Sequence, residues 1–81
     1  MSVEFWTGRL QVEQAQIEAM TRRTNALRAK IAACDVRDYH EADRLTNRWI
    51  AIKQNREIMH EAREALRVRL IRDKIIPEDM K

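Results

Sequence analysis

Read in sevens from Val3, the first half of the chain sets Val3, Trp6, Leu10, Glu13, Ile17, Met20, Thr24, Leu27, Ile31 and Cys34 at alternating steps of three and four. Eight of these ten are apolar or nearly so, which is the spacing of a packed helical seam. The second half, read from Ala42, gives Ala42, Leu45, Trp49, Ile52, Arg56, Met59, Arg63, Leu66 and Leu70, of which seven of nine are apolar. Neither half alternates with period two over a useful length, so strands are not expected. The pattern predicts an all-α fold with helix 1 over about 3–34, a turn at 35–38 and helix 2 over about 39–75, a single hairpin domain spanning 1–76.

The turn segment "CDVRDYHE" supplies the start of the second helix. Asp38 with Glu41 three residues on has the form of a capping box, in which each side chain satisfies a backbone N–H of the other. Ser2 is the expected cap of helix 1, with Thr7 as a later alternative because Gly8 weakens the first turns. The closing stretch "EALRVRLIRDKIIPEDMK" alternates base and hydrocarbon over Arg67–Arg72, yet Leu66 and Leu70 continue the seam. It reads as a helix end, not a strand, with Arg67, Arg69 and Arg72 laying their alkyl stems along the apolar edge. Pro77 biases its predecessor away from helix, so helix 2 should stop near Ile75 and 77–81 should form a mobile tail.

Doubling the chain back at Asp38 brings the two seams into antiparallel register. Ile31 then faces Leu45, Leu27 faces Trp49, Thr24 faces Ile52 and Met20 faces Arg56. Toward the open end Ile17 meets Met59, Leu10 meets Leu66 and Trp6 meets Leu70. The same register sets Glu13 against Arg63 as opposite charges, an expected ion pair whose value lies in penalising slipped registers more than in net stability.

Composition sharpens this picture. Eighty-one residues make one domain, whose lone core is marginal without a staple or a partner. Cys34 is the only cysteine, which rules out a disulfide within the chain. A single Gly and a single Pro are too few for an all-β fold. With 36% charged and 44% hydrophobic residues, the chain is too apolar to be disordered and suits long solvated helices. No apolar run approaches the roughly 20 residues of a membrane span. The N-terminus lacks the features of a secretory signal, so the expected compartment is the cytoplasm and no membrane partner is expected.

A second heptad row runs beside the seam: Phe5, Val12, Ala19, Ala26 and Ala33 on helix 1, Ala51, Ile58 and Ala65 on helix 2. Alanine is a good helix former and fills surface positions without further reason. That account leaves Phe5, Val12 and Ile58 unexplained, and a lone hairpin has no internal use for a second stripe. The stripe is therefore expected to be an association face, comprising Phe5, Val12, Ala19, Ala26, Ala51, Ile58 and Ala65. Two hairpins joined there make a four-helix bundle, the expected homodimer.

Candidate chemistry is thin. Glu57 and His60 form one Glu-x-x-His spacing off the seam, where di-iron bundles need two. Cys34 reads as a buried thiol near the turn and His40 as a surface residue. Neither a phosphate-binding glycine loop, a zinc spacing nor a nucleophile elbow is present. No catalytic residue, cofactor or metal is expected, and the protein reads as a non-enzyme. A basic row, Arg9, Gln16, Arg23 and Lys30 with Arg48, Asn55 and Arg69, offers an alternative as a nucleic-acid surface. The formal charge is only +3, split as +2 over residues 1–34, −1 over 35–62 and +2 over 63–81. Basic residues so placed more often flank an interface. In architecture alone the expected dimer resembles Rop, the small plasmid RNA-binding hairpin, which shows how such a bundle contacts RNA.

The segment "DYHEADRLTNRW", Asp38 to Trp49, resembles the start of the second helix of the UVR motif, the hairpin through which excision-repair subunits contact one another. Asp38, Tyr39, Ala42, Leu45 and Trp49 fit that motif, and Asp43 departs from it where a second Ala stands. The resemblance covers a dozen residues and implies a hairpin that works by protein contact. The expectation is thus a small helical hairpin acting through an unidentified protein partner, as adaptor, co-chaperone, assembly factor or phage-encoded inhibitor. The alternative is a Rop-like dimer that binds RNA or DNA.

Overall fold

A computed structural model describes residues 3–78. Helix α1 spans Val3–Ala33 and helix α2 spans Tyr39–Arg72, and no strand occurs among the described residues. The helices lie antiparallel in a rod with principal extents of 56 × 18 × 15 Å. The radius of gyration is 17.3 Å, against about 12 Å for a compact globule of this length. Length is what a two-helix chain gains by forgoing a third layer, and surface is what it gives up. The accessible area is 6326 Å², whereas a compact monomer of this mass exposes about 5,100 Å².

The two seams pack as the heptads require. Leu10, Ile17, Thr24, Leu27, Leu45, Arg63 and Leu70 are buried, and every other seam position except Val3 is at least half-covered. The register is read from polar contacts across the pair. Arg56 Nη1 donates to Thr21 Oγ1 at 3.5 Å, and Arg63 Nε donates to the Leu10 carbonyl at 3.2 Å. Trp49, Lys53 and Arg56 share a shallow groove with Thr24, Asn25 and Arg28, and the Lys53 ammonium stands 5.0 Å over the Trp49 ring. The buried hydroxyl of Thr24 is satisfied within its own helix, donating to the Thr21 carbonyl at 2.9 Å.

The expected Glu13–Arg63 ion pair does not form. Glu13 accepts from Arg9, one helical turn away, at 3.0 Å. Arg63 is instead buried as a residue, 7% exposed, with Nε on the Leu10 carbonyl and Nη1 3.4 Å from Glu64. A partner four residues along the same helix is reached without ordering a second element, so the local contact wins. The capping box is half made. The Asp38 carboxylate accepts from the Glu41 backbone N–H at 3.3 Å. The Glu41 side chain, which should have reached back to the Asp38 N–H, turns to Arg44 through bonds of 2.6 and 3.0 Å. The Asp38 N–H donates to the Asp35 carbonyl instead. Ser2, the expected cap of α1, lies outside the described residues.

Helix α2 stops at Arg72, three residues before the expected end, and Pro77 is not the cause. The Ile75 N–H donates to the Leu70 carbonyl at 2.8 Å and the Lys74 N–H to the Ile71 carbonyl at 3.0 Å, the paired bonds of a Schellman cap. Lys74 takes the left-handed position with φ 59°. The chain turns back here for Ile75 and Ile76. Ile76 is 4% exposed and joins Leu10 and Leu70 in a closed apolar cluster, with Trp6, Leu66, Ile71 and Ile75 around it. The packed domain therefore runs to the edge of the expected tail. Pro77 and Glu78 beyond it are exposed, and 79–81 lie outside the described residues. The Trp6 indole N–H is buried without an acceptor among the described residues.

The chain's one glycine is not where the backbone asks for one. A Cβ at Gly8 would meet nothing within 4 Å, while Lys74 holds the left-handed backbone that glycine adopts freely. Gly8→Ala and Lys74→Gly are each expected to stabilise the hairpin, by about 0.5–1 kcal/mol. Thermal melts of the two single variants and the pair check this. A loss of stability in Lys74→Gly would mean that the lysine does more than occupy the cap.

Candidate protein-interaction face

Heptad geometry divides the surface of the rod into two broad faces, one on each side of the seam. One is polar. Gln11, Gln14 and Glu18 of α1 line a groove there with Arg63, Glu64 and Arg67 of α2. Arg67 holds Glu64 at 2.9 Å and, with Arg63 and His60 adding to it, keeps the Glu64 carboxyl below the usual carboxylate range. Glu57, His60 and Glu61 lie farther along, beside Arg56 and Thr21. Among the described residues no group of three or more His, Cys, Asp or Glu side chains is arranged to hold a metal ion. Cys34 is half-buried, its thiol 3.7 Å from the Asp35 carbonyl.

The opposite face carries the second apolar stripe. Phe5 is 55% exposed, Val12 57% and Ile58 65%. Ala26, Ala33, Ala51 and Ala65 are exposed beside them, and Ala19 is half-covered. Phe5 stands edge-on to Trp6, ring centroids 5.0 Å apart. At the open end the stripe deepens into a groove shared by both helices. Phe5, Gly8 and Val12 of α1 form one side, Met59, Ala62 and Leu66 of α2 the other, and Arg9 and Glu13 form part of its rim. Six of the seven expected face residues are thus exposed, and Gly8, Met59, Ala62 and Leu66 line the groove beside them. The seam pattern had assigned Met59 and Leu66 wholly to the core; each stays partly exposed because two helices cannot cover a side chain from all directions.

The basic row lies on this same face, between stripe and seam, and its members differ in how they are held. Arg9 is paired with Glu13 at 3.0 Å, and Arg69 lies 3.7 Å from Asp73, which also takes Arg72 at 3.7 Å. Arg44, which is not part of the row, is held by Glu41 at 2.6 Å, and that bond keeps the Glu41 carboxyl below its usual range, with Lys30 adding to it. Arg23, Lys30 and Arg48 are exposed and make no ion pair among the described residues. The face is therefore graded, with large apolar groups toward the open end and unpaired positive charge toward the turn. Nothing in the heptad pattern alone separates paired from unpaired bases, although the i,i+4 spacing of Arg9 and Glu13 was a readable signal.

No helix among the described residues is long and apolar enough to cross a membrane. Compared with protein-family models, curated proteins and solved structures, the chain matches none; the likeness of Asp38–Trp49 to the UVR motif is thus local, and the hairpin it implied is present.

Proposed function

We propose that this chain is a protein-interaction module, a stiff helical hairpin that presents one apolar face to another helical surface and carries out no chemistry of its own. The observation behind this reading is the exposure of Val12 and Ile58 on the face that holds the open groove. Val36, Tyr39, Ile50 and Val68 are exposed singly elsewhere, whereas Phe5, Val12 and Ile58 recur on one face beside an open apolar groove, the arrangement of an association surface. The rod exposes some 1,200 Å² more than a compact monomer of its mass, by the surface-scaling relation. A standard interface removes about 800 Å² from each partner, so a single docking event on this face covers about two thirds of that excess. Adaptor, co-chaperone, assembly factor and inhibitor are all roles such a module fills. Docking of any helical partner, a second copy included, serves the same end, because additional helices enclose a core that two leave open.

A nucleic-acid role is the weaker reading. Of the five basic candidates, Arg9 and Arg69 already face carboxylates, which leaves Arg23, Lys30 and Arg48 to meet phosphates. Affinity capture from the native host tests the main reading with two baits, the natural chain and Ile58→Asp. Ile58 is 65% exposed, so the variant should keep its helicity. Proteins retained by the natural chain should be lost from the variant; identical captures would sink the proposal.

A further inference from the structure

The apolar residues of this face accept a second copy and a foreign helix equally well, but its charges do not. Arg23 and Lys30 on α1 and Arg48 on α2 project from the turn half with no ion pair among the described residues, although Lys30 adds its charge to the field of Arg44 at Glu41. The acids on the same face, Glu13, Glu41 and Asp73, are each engaged by an arginine of the same face. Two hairpins joined through this face obey one of two twofold arrangements. With turns together, the three bases meet their own copies. With turns opposed, they meet the open half, where Glu13 is held by Arg9 and Asp73 by Arg69 and Arg72. Neither arrangement offers an uncommitted carboxylate, and bringing like charges together across an interface is costly.

We infer that the occupant of this face is an amphipathic helix of a different protein, apolar along one stripe and carrying Asp or Glu flanks at one end of it. The inference rests on the interaction reading and deepens it by naming the partner's chemistry. Its apolar residues enter the groove between Phe5, Val12, Met59 and Leu66, in the manner of helix-in-groove recognition. Its carboxylates lie over Arg23, Lys30 and Arg48. From Val12 to Lys30 along α1 is about 27 Å, so a helix of about 20 residues reaches both ends of the site. The gradation of the face gives the partner a direction, acid toward the turn.

The test uses the full chain and two fluorescent synthetic helices of about 20 residues. Both carry the same leucine and isoleucine stripe, one flanked by Glu and the other by Lys. Anisotropy titrations at low salt should show the Glu peptide binding at least about tenfold more tightly, with the difference shrinking as salt screens it. The double variant Arg23→Glu, Arg48→Glu should reverse the preference, and Ile58→Asp should weaken both peptides. Equal affinities, or a preference unchanged by the double variant, overturn the acidic partner while leaving an interaction face. A dimer in sedimentation that both peptides displace equally assigns the face to a second copy. Tight binding of RNA or DNA lost in the double variant assigns it to nucleic acid. If Ile58→Asp leaves peptide affinity untouched, the interaction reading fails with the inference.

Discussion

Leu10→Ala is expected to lower the stability of the hairpin by about 3–4 kcal/mol, well within the range for truncating a fully buried leucine. Leu10 is 1% exposed, the most buried of the described residues, and it sits where Leu70 and the returning Ile76 close the open end. Three segments meet there, so the void left by three lost carbons is walled by the cap of α2 as well as by both seams and relaxes poorly. For a domain this small each kcal/mol shifts the melting temperature by about 4–8 °C, so a fall on the order of 15–25 °C should appear in a circular-dichroism melt. Val12→Ala removes nearly as much hydrocarbon from a position 57% exposed and should change stability by less than about 0.5 kcal/mol. A Leu10→Ala melt within a few degrees of the natural chain would mean that the closed cluster contributes little and that the fold is held elsewhere.

The contrast between those two positions shows which parts of the fold were written in the heptads. Burial of Leu10, Ile17, Leu27, Leu45 and Leu70 follows from spacing alone, because a seam has one geometry in any helical pair. The turn follows from Asp38, whose side chain has a backbone N–H within reach as soon as the helix starts. What the spacing does not carry is competition among polar partners. Glu13 had Arg9 and Arg63 available, Glu41 had Arg44 and the Asp38 N–H, and in both cases the partner on the same helix prevailed. The end of α2 escaped for a different reason. A Schellman cap is announced by glycine, and Lys74 gives no such signal; only the apolar pair Ile75–Ile76 before Pro77 hinted that the chain returns to the core.

The interaction face was legible as two heptad rows and illegible as an electrostatic surface. Spacing identifies Val12 and Ile58 as stripe residues and puts Arg23 and Arg48 beside them. Whether a given arginine is committed depends on rotamers that bring Asp73 to Arg69 and Arg72 together, and periodicity does not encode these. A basic row that looks uniform along the sequence is, in the folded chain, paired at the open end and unpaired at the turn.

Arg63 provides the sharpest check on how polar groups inside the seam act. Arg63→Met is expected to leave the hairpin as stable as the natural chain or more so, by up to about 1–2 kcal/mol, whereas Arg63→Glu should destabilise it by about 3 kcal/mol or more. Methionine fills a similar volume with hydrocarbon and needs no hydrogen bond, and the Leu10 carbonyl it would abandon still accepts from its own helix. Glutamate would point an acceptor at the carbonyl that Arg63 Nε now reaches at 3.2 Å, beside the like charge of Glu64. The arginine's benefit is then specificity: it ties α2 to one level of α1, and a seam with methionine there is free to slip by a heptad. Thermal melts order the three chains, and cysteine pairs placed across the register, one variant per offset, report slippage by the number of offsets that cross-link. A loss of more than about 2 kcal/mol in Arg63→Met would show that the buried guanidinium contributes net stability, and a single cross-linked offset in that variant would show that the apolar seam alone sets the register.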